Sequence, residues 1–269
     1  MRERLDVALV RRGLTASRSE ARLAVEKGLV TVGGRPAAKT AMLVGREESV
    51  VVSGPARRFV SRGGEKLQAA LERFDIPIRD RRCVDVGAST GGFTDCLIQA
   101  GAGAVIAIDV GYGQFDWALR NDPRVIVLER TNVRDVDPVD LPYLAEIVVA
   151  DLSFISLRTV MPALVGLSIP GAYAVVLIKP QFEAGRGSVD RGGVVRDPGA
   201  WRRSIEGVVE AAAAQGVMCD GVCVSPLVGP AGNVEFLFAG RRGEGADTAE
   251  PIAGLDAALA DAEALREAS

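Results

Sequence analysis

From Arg82 onward, short apolar runs alternate with helical stretches, and this rhythm restricts the possible folds more than any other feature of the chain. The runs are Cys83–Val86, Val105–Asp109, Val125–Leu128, Ile147–Asp151 and Ala174–Lys179. Short apolar strands separated by helix-length segments predict an α/β fold, a parallel sheet with helices on both faces. A late pair, Val217–Val224 and Val234–Ala239, is expected to close that sheet with one strand antiparallel. Residues 184–199, rich in Gly, Arg and Asp, read as a long loop, and a loop of that length in a compact domain is more often functional than idle. Gly243–Glu250 reads as a linker, followed by Ile252, Leu255, Leu259, Ala262 and Leu265 as the apolar stripe of a C-terminal helix.

The segment before Arg82 reads differently. Leu5, Ala8 and Leu9 share one helical face that Gly13 terminates. Ser17-Arg18-Ser19-Glu20 has the form of a capping box in front of Ala21, Ala24 and Val25, with Gly28 as the stop. Leu29–Val32, the Gly33-Gly34 turn and Ser49–Val52 then predict short strands of a small α/β unit. The expected division is a small N-terminal domain over residues 1–56, a linker over 57–63 and a larger domain over 64–269. Charge follows the same division. Residues 1–82 hold 18 Lys/Arg against 10 Asp/Glu, net +8, and residues 83–269 are left with net −11. Such asymmetry suggests a nucleic-acid-facing N-terminus on an acidic body, against the plainer reading of an ordinary solvated surface.

Several function classes are excluded or disfavoured. There is no histidine, so any proton acceptor must be Lys, Asp, Glu, Tyr or Cys. The four cysteines, Cys83, Cys96, Cys219 and Cys223, form no C-x-x-C pair and read as small buried hydrophobes, and no metal is expected. No run of about 18 apolar residues occurs and no apolar signal segment follows Met1, so neither a membrane span nor secretion is expected and the cytoplasm is the default location.

The segment Val84-Asp85-Val86-Gly87-Ala88-Ser89-Thr90-Gly91-Gly92-Phe93-Thr94 is a buried strand running through a glycine-rich turn into a helix. Glycines let the backbone approach a ligand, and the helix N-terminus offers free N–H groups. The spacing matches neither the G-x-G-x-x-G dinucleotide fingerprint nor a phosphate-binding loop ending in Gly-Lys-Ser/Thr. The form D-x-G-x-x-x-G-G-F, with an acid, Asp109, closing the second strand, is the arrangement used by enzymes of S-adenosylmethionine, where that acid accepts from the ribose hydroxyls. The plainer reading is a tight strand-to-helix turn, which needs glycine in any case.

Lys66, Asp151, Lys179 and Glu235 stand at strand ends or element starts. The carboxyl ends of parallel strands line the ligand crevice, so Asp151 and Lys179 should meet there. Four such residues form either two structural ion pairs or a centre in which an unactivated alcohol loses its proton while attacking a sulfonium methyl, with Lys179 the candidate base.

Together these residues resemble the TlyA family, FtsJ-like 2′-O-methyltransferases of ribosomal RNA that carry an N-terminal RNA-binding domain of the type found in ribosomal protein S-four. The resemblance rests on Leu14–Gly34, Phe59–Leu67, the glycine loop, Asp109–Gln114, Glu129–Asn132, Ala150–Leu157, Lys179–Glu183 and Gly232–Glu235. It implies a Rossmann-like S-adenosylmethionine-dependent methyltransferase domain acting on cytidine in 16S and/or 23S rRNA of the ribosomal subunits, and susceptibility to ribosome-targeting cyclic peptide antibiotics. It implies catalytic places for Lys66, Asp151, Lys179 and Glu235, and for Phe154 a contact to a flipped-out cytidine. The expected cofactor contacts are Gly87, Ala88, Ser89, Gly91, Gly92, Phe93, Thr94, Asp109, Val110, Asn132, Asp151 and Leu152; the expected RNA contacts are Arg18, Arg35, Lys39, Arg62 and Phe154. One departure stands in the junction Arg57-Arg58-Phe59-Val60, where the family form has Trp in place of Phe59.

Three other readings compete. A haemolysin-like membrane role lacks an apolar span, and the tail helix carries Arg266 as its one basic residue, unlike a basic interfacial helix. A non-catalytic RNA-binding module would leave the four strand-end residues unexplained. A small-molecule methyltransferase would leave the basic N-terminal module without a task.

Overall fold

A computed structural model describes residues 2–15, 17–53, 58–243 and 251–268. The chain forms two compact units, Met1–Ser61 and Arg62–Ser269. Part of the expected 57–63 linker and most of the expected 243–250 linker lie outside the described residues.

The first unit begins with β1 (Arg2–Arg4), α1 (Leu5–Arg11) and α2 (Arg18–Glu26), and continues with β2 (Val30–Val32), β3 (Arg35–Pro36), β4 (Leu43–Gly45) and β5 (Val50–Val52). The Ser17 side chain accepts from the Glu20 N–H and so caps α2, satisfying one of the donors that a helix start leaves free. Sequence patterning missed β1, β3 and β4, strands of two or three residues that exist because they pair: β1 runs antiparallel to β4, and β2 lies between β3 and β5. One small core, built on Leu5, Leu9, Ala21, Val25, Val30 and Val44, joins both helices to these strands.

The second unit opens on α3 (Gly63–Arg73) and then alternates β6 (Arg82–Val86), α4 (Gly92–Gln99), β7 (Ala104–Ile108), α5 (Trp117–Arg120), β8 (Val125–Leu128), β9 (Ala145–Ala150), α6 (Leu157–Gly166) and β10 (Ser168–Ile178). It ends with α7 (Pro180–Glu183), α8 (Pro198–Ala213), β11 (Val217–Val224), β12 (Phe236–Arg242) and α9 (Leu255–Ala268). The seven strands of its sheet lie in the order β11-β12-β10-β9-β6-β7-β8. All neighbouring pairs from β10 to β8 are parallel, whereas β12 runs antiparallel to both β10 and β11. The late pair therefore closes the sheet with one reversed strand, but β12 inserts between β10 and β11 instead of extending the edge. β10 starts six residues before the expected Ala174, because Ser168 already pairs with Ala145 ahead of a register irregularity that ends at Tyr173. The apolar residues of α6, α8 and α9 cover one face, with Trp201, Phe236 and Phe238 fully buried in that core. Leu255, Ala258 and Ala262 hold α9 on it, which accounts for the apolar stripe of the tail without a membrane. Among the described residues no helix is long and apolar enough to cross a membrane.

Candidate active site

The order of the parallel strands fixes where a ligand can sit. The chain leaves β6 and β9 in opposite directions across the sheet, and a crevice opens outside their carboxyl ends. There a cavity of about 450 Å³ is lined by Gly87 and Ser89 after β6, Asp109, Val110 and Gly111 after β7, Thr131 and Asn132 after β8, and Asp151, Leu152 and Phe154 after β9.

Gly87 sits at φ +82°, and a Cβ on it would overlap the carbonyl oxygen of Asp151, so only glycine lets the two loops approach. Ser89 also has positive φ, 50°, and its N–H donates to Asp109 Oδ2 at 2.7 Å. The Gly111 N–H donates to Asp109 Oδ1 at 2.6 Å. Each carboxylate oxygen of Asp109 thus takes one backbone donor and keeps further acceptor capacity, which fixes the acid at the cavity wall in an orientation suited to hydroxyl donors. Of the expected cofactor contacts, Gly87, Ser89, Asp109, Val110, Asn132, Asp151 and Leu152 line this cavity. Ala88, Gly91, Gly92, Phe93 and Thr94 do not line it; Phe93 and Thr94 turn into the core as α4 begins. Gln114, Thr131 and Ile155 line the cavity although their residue types carry no signal of it in the sequence.

Beneath the loop lies a group that sequence reasoning did not single out as functional. Asp85 is fully buried, accepts from Thr94 Oγ1 at 2.6 Å, and its Oδ1 has no partner. Burial pushes its carboxyl up to about 7, with the Thr94 hydrogen bond opposing and the Asp151 charge adding to the rise. A carboxyl that holds its proton more tightly folded than unfolded contributes stability fully below its unfolded pKa of about 3.9, and that contribution fades as pH climbs towards 7. Asp85→Asn keeps an acceptor for Thr94 and cannot ionise. Its stability relative to the parent chain is therefore expected to rise by about 2–3 kcal/mol between pH 5 and pH 8, measured by denaturant unfolding. A pH-independent difference would show that Asp85 ionises without penalty.

The four charged residues form two ion pairs. Lys66, in the first turn of α3, places Nζ 2.5 Å from Glu235 Oε2, and both side chains are almost wholly buried. Lys179 Nζ lies 2.6 Å from Asp151 Oδ1 and donates to Ser153 Oγ at 2.9 Å. Sheet register brings the elements together: Ile178 pairs with Phe236 and Val176 with Ala150, so Lys179, Glu235 and Asp151 leave the same edge of three adjacent strands. Gly229 packs against Glu235, where a Cβ would come 2.7 Å from Oε1. The buried Asn233 accepts from the Val195 N–H and donates to the Gly193 carbonyl, both at 2.9 Å, which ties the long loop to the segment that carries Glu235 into β12. That loop ends at Asp197, two residues short of the expected 199, because Pro198 and Gly199 already belong to α8.

Phe154 is 91% exposed and adopts φ +66°, a conformation a bulky residue rarely takes. Its ring centroid is 5.3 Å from that of Phe182. The two rings border a second, more open cavity, about 520 Å³, which shares Phe154 and Ile155 with the first and includes Gln181.

The expected RNA contacts are placed unevenly. Arg35 and Lys39 are exposed and have no ion-pair partner among the described residues, as do Lys27 and Arg46, which were not anticipated. Arg18 instead pairs with the buried Asp6 at 2.8 Å, alongside Arg4 at 3.0 Å, and the two guanidinium groups hold the Asp6 carboxyl well below the usual carboxylate range. Its side chain remains largely exposed. Arg62 donates to the carbonyl of Val228 at 3.0 Å. The thiols of Cys83, Cys219 and Cys223 are pushed up by burial, to about 12, 11 and 11, which keeps them protonated and unreactive near neutral pH. Among the described residues no group of three His, Cys, Asp or Glu side chains is placed to hold a metal ion.

A seven-stranded sheet with one reversed strand near its edge, a glycine cradle after the first strand and an acid after the second define the S-adenosylmethionine-dependent methyltransferase fold. The same fold is seen in a solved structure from Listeria monocytogenes, described as a candidate S-adenosylmethionine dependent methyltransferase, at 14% identity and a TM-score of 0.52, covering 68% of this chain and 100% of that one. The chain belongs to the FtsJ-like methyltransferase family: that family's model matches residues 59–242, and the S4 domain model matches residues 3–50. It is 52% identical over 238 residues to the 16S/23S rRNA (cytidine-2'-O)-methyltransferase TlyA of Mycobacterium tuberculosis, covering 88% of this chain and 89% of that protein. A solved structure from Streptococcus thermophilus, described as a candidate hemolysin, matches with a TM-score of 0.81 at 36% identity, covering 99% of this chain and 98% of that one.

Proposed function

We propose that this protein transfers a methyl group from S-adenosylmethionine to the ribose 2′-hydroxyl of cytidine in ribosomal RNA, and that it works in the cytoplasm on ribosomal subunits or their RNA. The observation that carries the reading is the pair of Lys–carboxylate contacts, Lys66–Glu235 and Lys179–Asp151, at the carboxyl edge of the sheet. Asp151 lines the cofactor-sized cavity, and the exposed Phe154 stands on its rim. The Gly87 cradle, the oriented Asp109 and the volume of the cavity all suit S-adenosylmethionine. When bound, that cofactor supplies a methyl group on a positively charged sulfur.

The remaining chemistry falls to side chains of this chain. Asp109 would hold the cofactor through its ribose hydroxyls, and Asn132 would serve its adenine. Phe154 stacks on an extruded base, which brings the ribose of that nucleotide to the strand edge. Methyl transfer would form a bond from the 2′-oxygen to the methyl carbon as the carbon–sulfur bond breaks and the sulfur leaves as a neutral thioether, while Lys179, fixed by Asp151 and Ser153, would take the hydroxyl proton on its free amine or direct it. Lys66 and Glu235 hold the other side of the site. The first unit adds RNA affinity through exposed cations, Arg35 and Lys39 foremost and Arg18 with its outward face, contacts that follow phosphate charge and weaken with salt. A haemolytic role has no membrane-crossing helix to use among the described residues.

The test is mass-spectrometric mapping of ribose methylation after incubating the protein and labelled cofactor with small subunits, large subunits and naked rRNA. The expected result is label on a cytidine 2′-oxygen in at least one of the three. Label on a base, or on none of them, would overturn the proposal.

A further inference from the structure

Phe154 poses a problem of its own. A bulky residue held at φ +66° is strained, and such a conformation persists only when its surroundings enforce it. With 91% of Phe154 exposed, burial of its own side chain does not supply that enforcement.

The flanks of the loop supply it, and both are gripped by one short element. Asp151 N donates to the Val86 carbonyl at 3.0 Å, which anchors the start of the loop to the sheet. Lys179, immediately before α7, then meets Asp151 and Ser153. At the far end of the same turn, Glu183 takes the other flank: its Oε2 accepts from Ser156 Oγ at 2.6 Å and its Oε1 from the Leu157 N–H at 2.7 Å. Ser156 Oγ in turn accepts from the Arg158 N–H and so caps α6. Between the two grips, Phe182 sets its ring against Phe154. Burial pushes the Glu183 carboxyl up, while its hydrogen bonds to Ser156 and Leu157 oppose the rise. It therefore sits in a poorly solvated place where those two donors are its partners.

We infer that Glu183 is a positioning residue that holds Phe154 in its strained, outward conformation and ties the base-stacking ring to the same turn that carries Lys179. This rests on the reading of Phe154 as a base-stacking residue. Because Lys179 and Glu183 lie four residues apart on one turn, a nucleobase seated on Phe154 is registered against the Lys179 amine. Glu183 itself touches neither base nor methyl group, and it acts through Ser156, Leu157 and the ring between them.

The test is a double-mutant cycle on the full-length protein, reading the RNA concentration for half-maximal single-turnover rate and, by calorimetry, cofactor affinity. Glu183→Gln is expected to raise the half-saturating RNA concentration five- to tenfold while cofactor affinity stays within twofold. In a Phe154→Ala background it should have no further effect, since residues acting through one contact are not additive. Ser156→Ala, which removes one leg of the grip and leaves the carboxylate, should give a smaller loss of the same kind if Glu183→Gln does not fold. Independently of activity, 4-fluorophenylalanine at position 154 should give one sharp fluorine resonance in the parent protein and a broadened or split one with Glu183→Gln. Losses that add in the double variant, or an unchanged fluorine resonance, would overturn the proposal alone. A Phe154→Ala protein with parental RNA half-saturation would overturn the stacking role itself, and the proposal with it.

Discussion

Replacing Lys179 by alanine is expected to lower the single-turnover rate of methyl transfer by about 10²–10⁴, the usual contribution of a positioned proton acceptor, with cofactor affinity preserved. Affinity should survive because Lys179 does not line the cavity that suits the cofactor, although its partner Asp151 does. The alanine variant leaves Asp151 without its cation, so a melting curve must accompany the rates. Lys179→Arg separates two roles. Guanidinium keeps the positive charge beside Asp151 but holds its proton at any working pH, so a lysine that takes the proton is not replaced by it, whereas one that only steadies developing negative charge is. The expected result is an arginine variant as slow as the alanine variant. Near-parental rates in Lys179→Arg would leave Lys179 as an electrostatic residue and move the proton to another acceptor.

The second large effect belongs to Gly87. A methyl group there meets the Asp151 carbonyl and lies 3.1 Å from Leu152 Cδ2, so Gly87→Ala must push the loop after β9 away from the loop after β6. These two loops form facing walls of the cavity, and cofactor affinity is expected to fall about 100-fold, equivalent to about 2.7 kcal/mol, by calorimetry. Gly113→Ala is the control: Gly113 also has positive φ, +73°, but a Cβ there meets nothing within 4 Å. It should carry the backbone cost, about 1 kcal/mol in stability, with affinity within a few-fold of the parent. Equal affinity losses in the two variants would mean that backbone strain, and not the close approach of the loops, governs binding.

Much of the second unit is legible in the sequence because its central strands β6, β7 and β9 are buried on both faces and read as continuous apolar runs, and β7, β9 and β10 end abruptly at a charge. Asp151 directly follows Ala150 and Lys179 directly follows Ile178, so their places at the strand ends, and their meeting, follow from the apolar runs and the rule that parallel strands open their crevice at one edge. The glycine loop is legible for a similar reason, since positive φ and close approach both call for glycine. Its second half is less so: Phe93 and Thr94 belong to the same motif but turn inward, and only the packing of α4 decides which side of a helix faces a ligand. In the first unit, helix periodicity and the Ser17 cap mark α1 and α2, whereas two- and three-residue strands carry no pattern to find.

By itself the sequence determined the alternating α/β plan, the glycine cradle, the acid at the end of the second strand and the absence of a histidine base. These are properties of residue type and local spacing, which short-range sterics and hydrophobic periodicity impose wherever the chain goes. The tertiary structure alone decided that β12 inserts between β10 and β11 and so carries Glu235 to Lys66, across 169 residues. It also decided that Asp85 is buried with an unpartnered oxygen, and that Phe154 is held outward at positive φ by a turn nearly thirty residues away. Each of these depends on which distant segments share a sheet edge. No local preference encodes that, because the free energy that enforces a strained ring or a buried carboxyl comes from the packing and hydrogen bonds of partners that meet only once the sheet has formed.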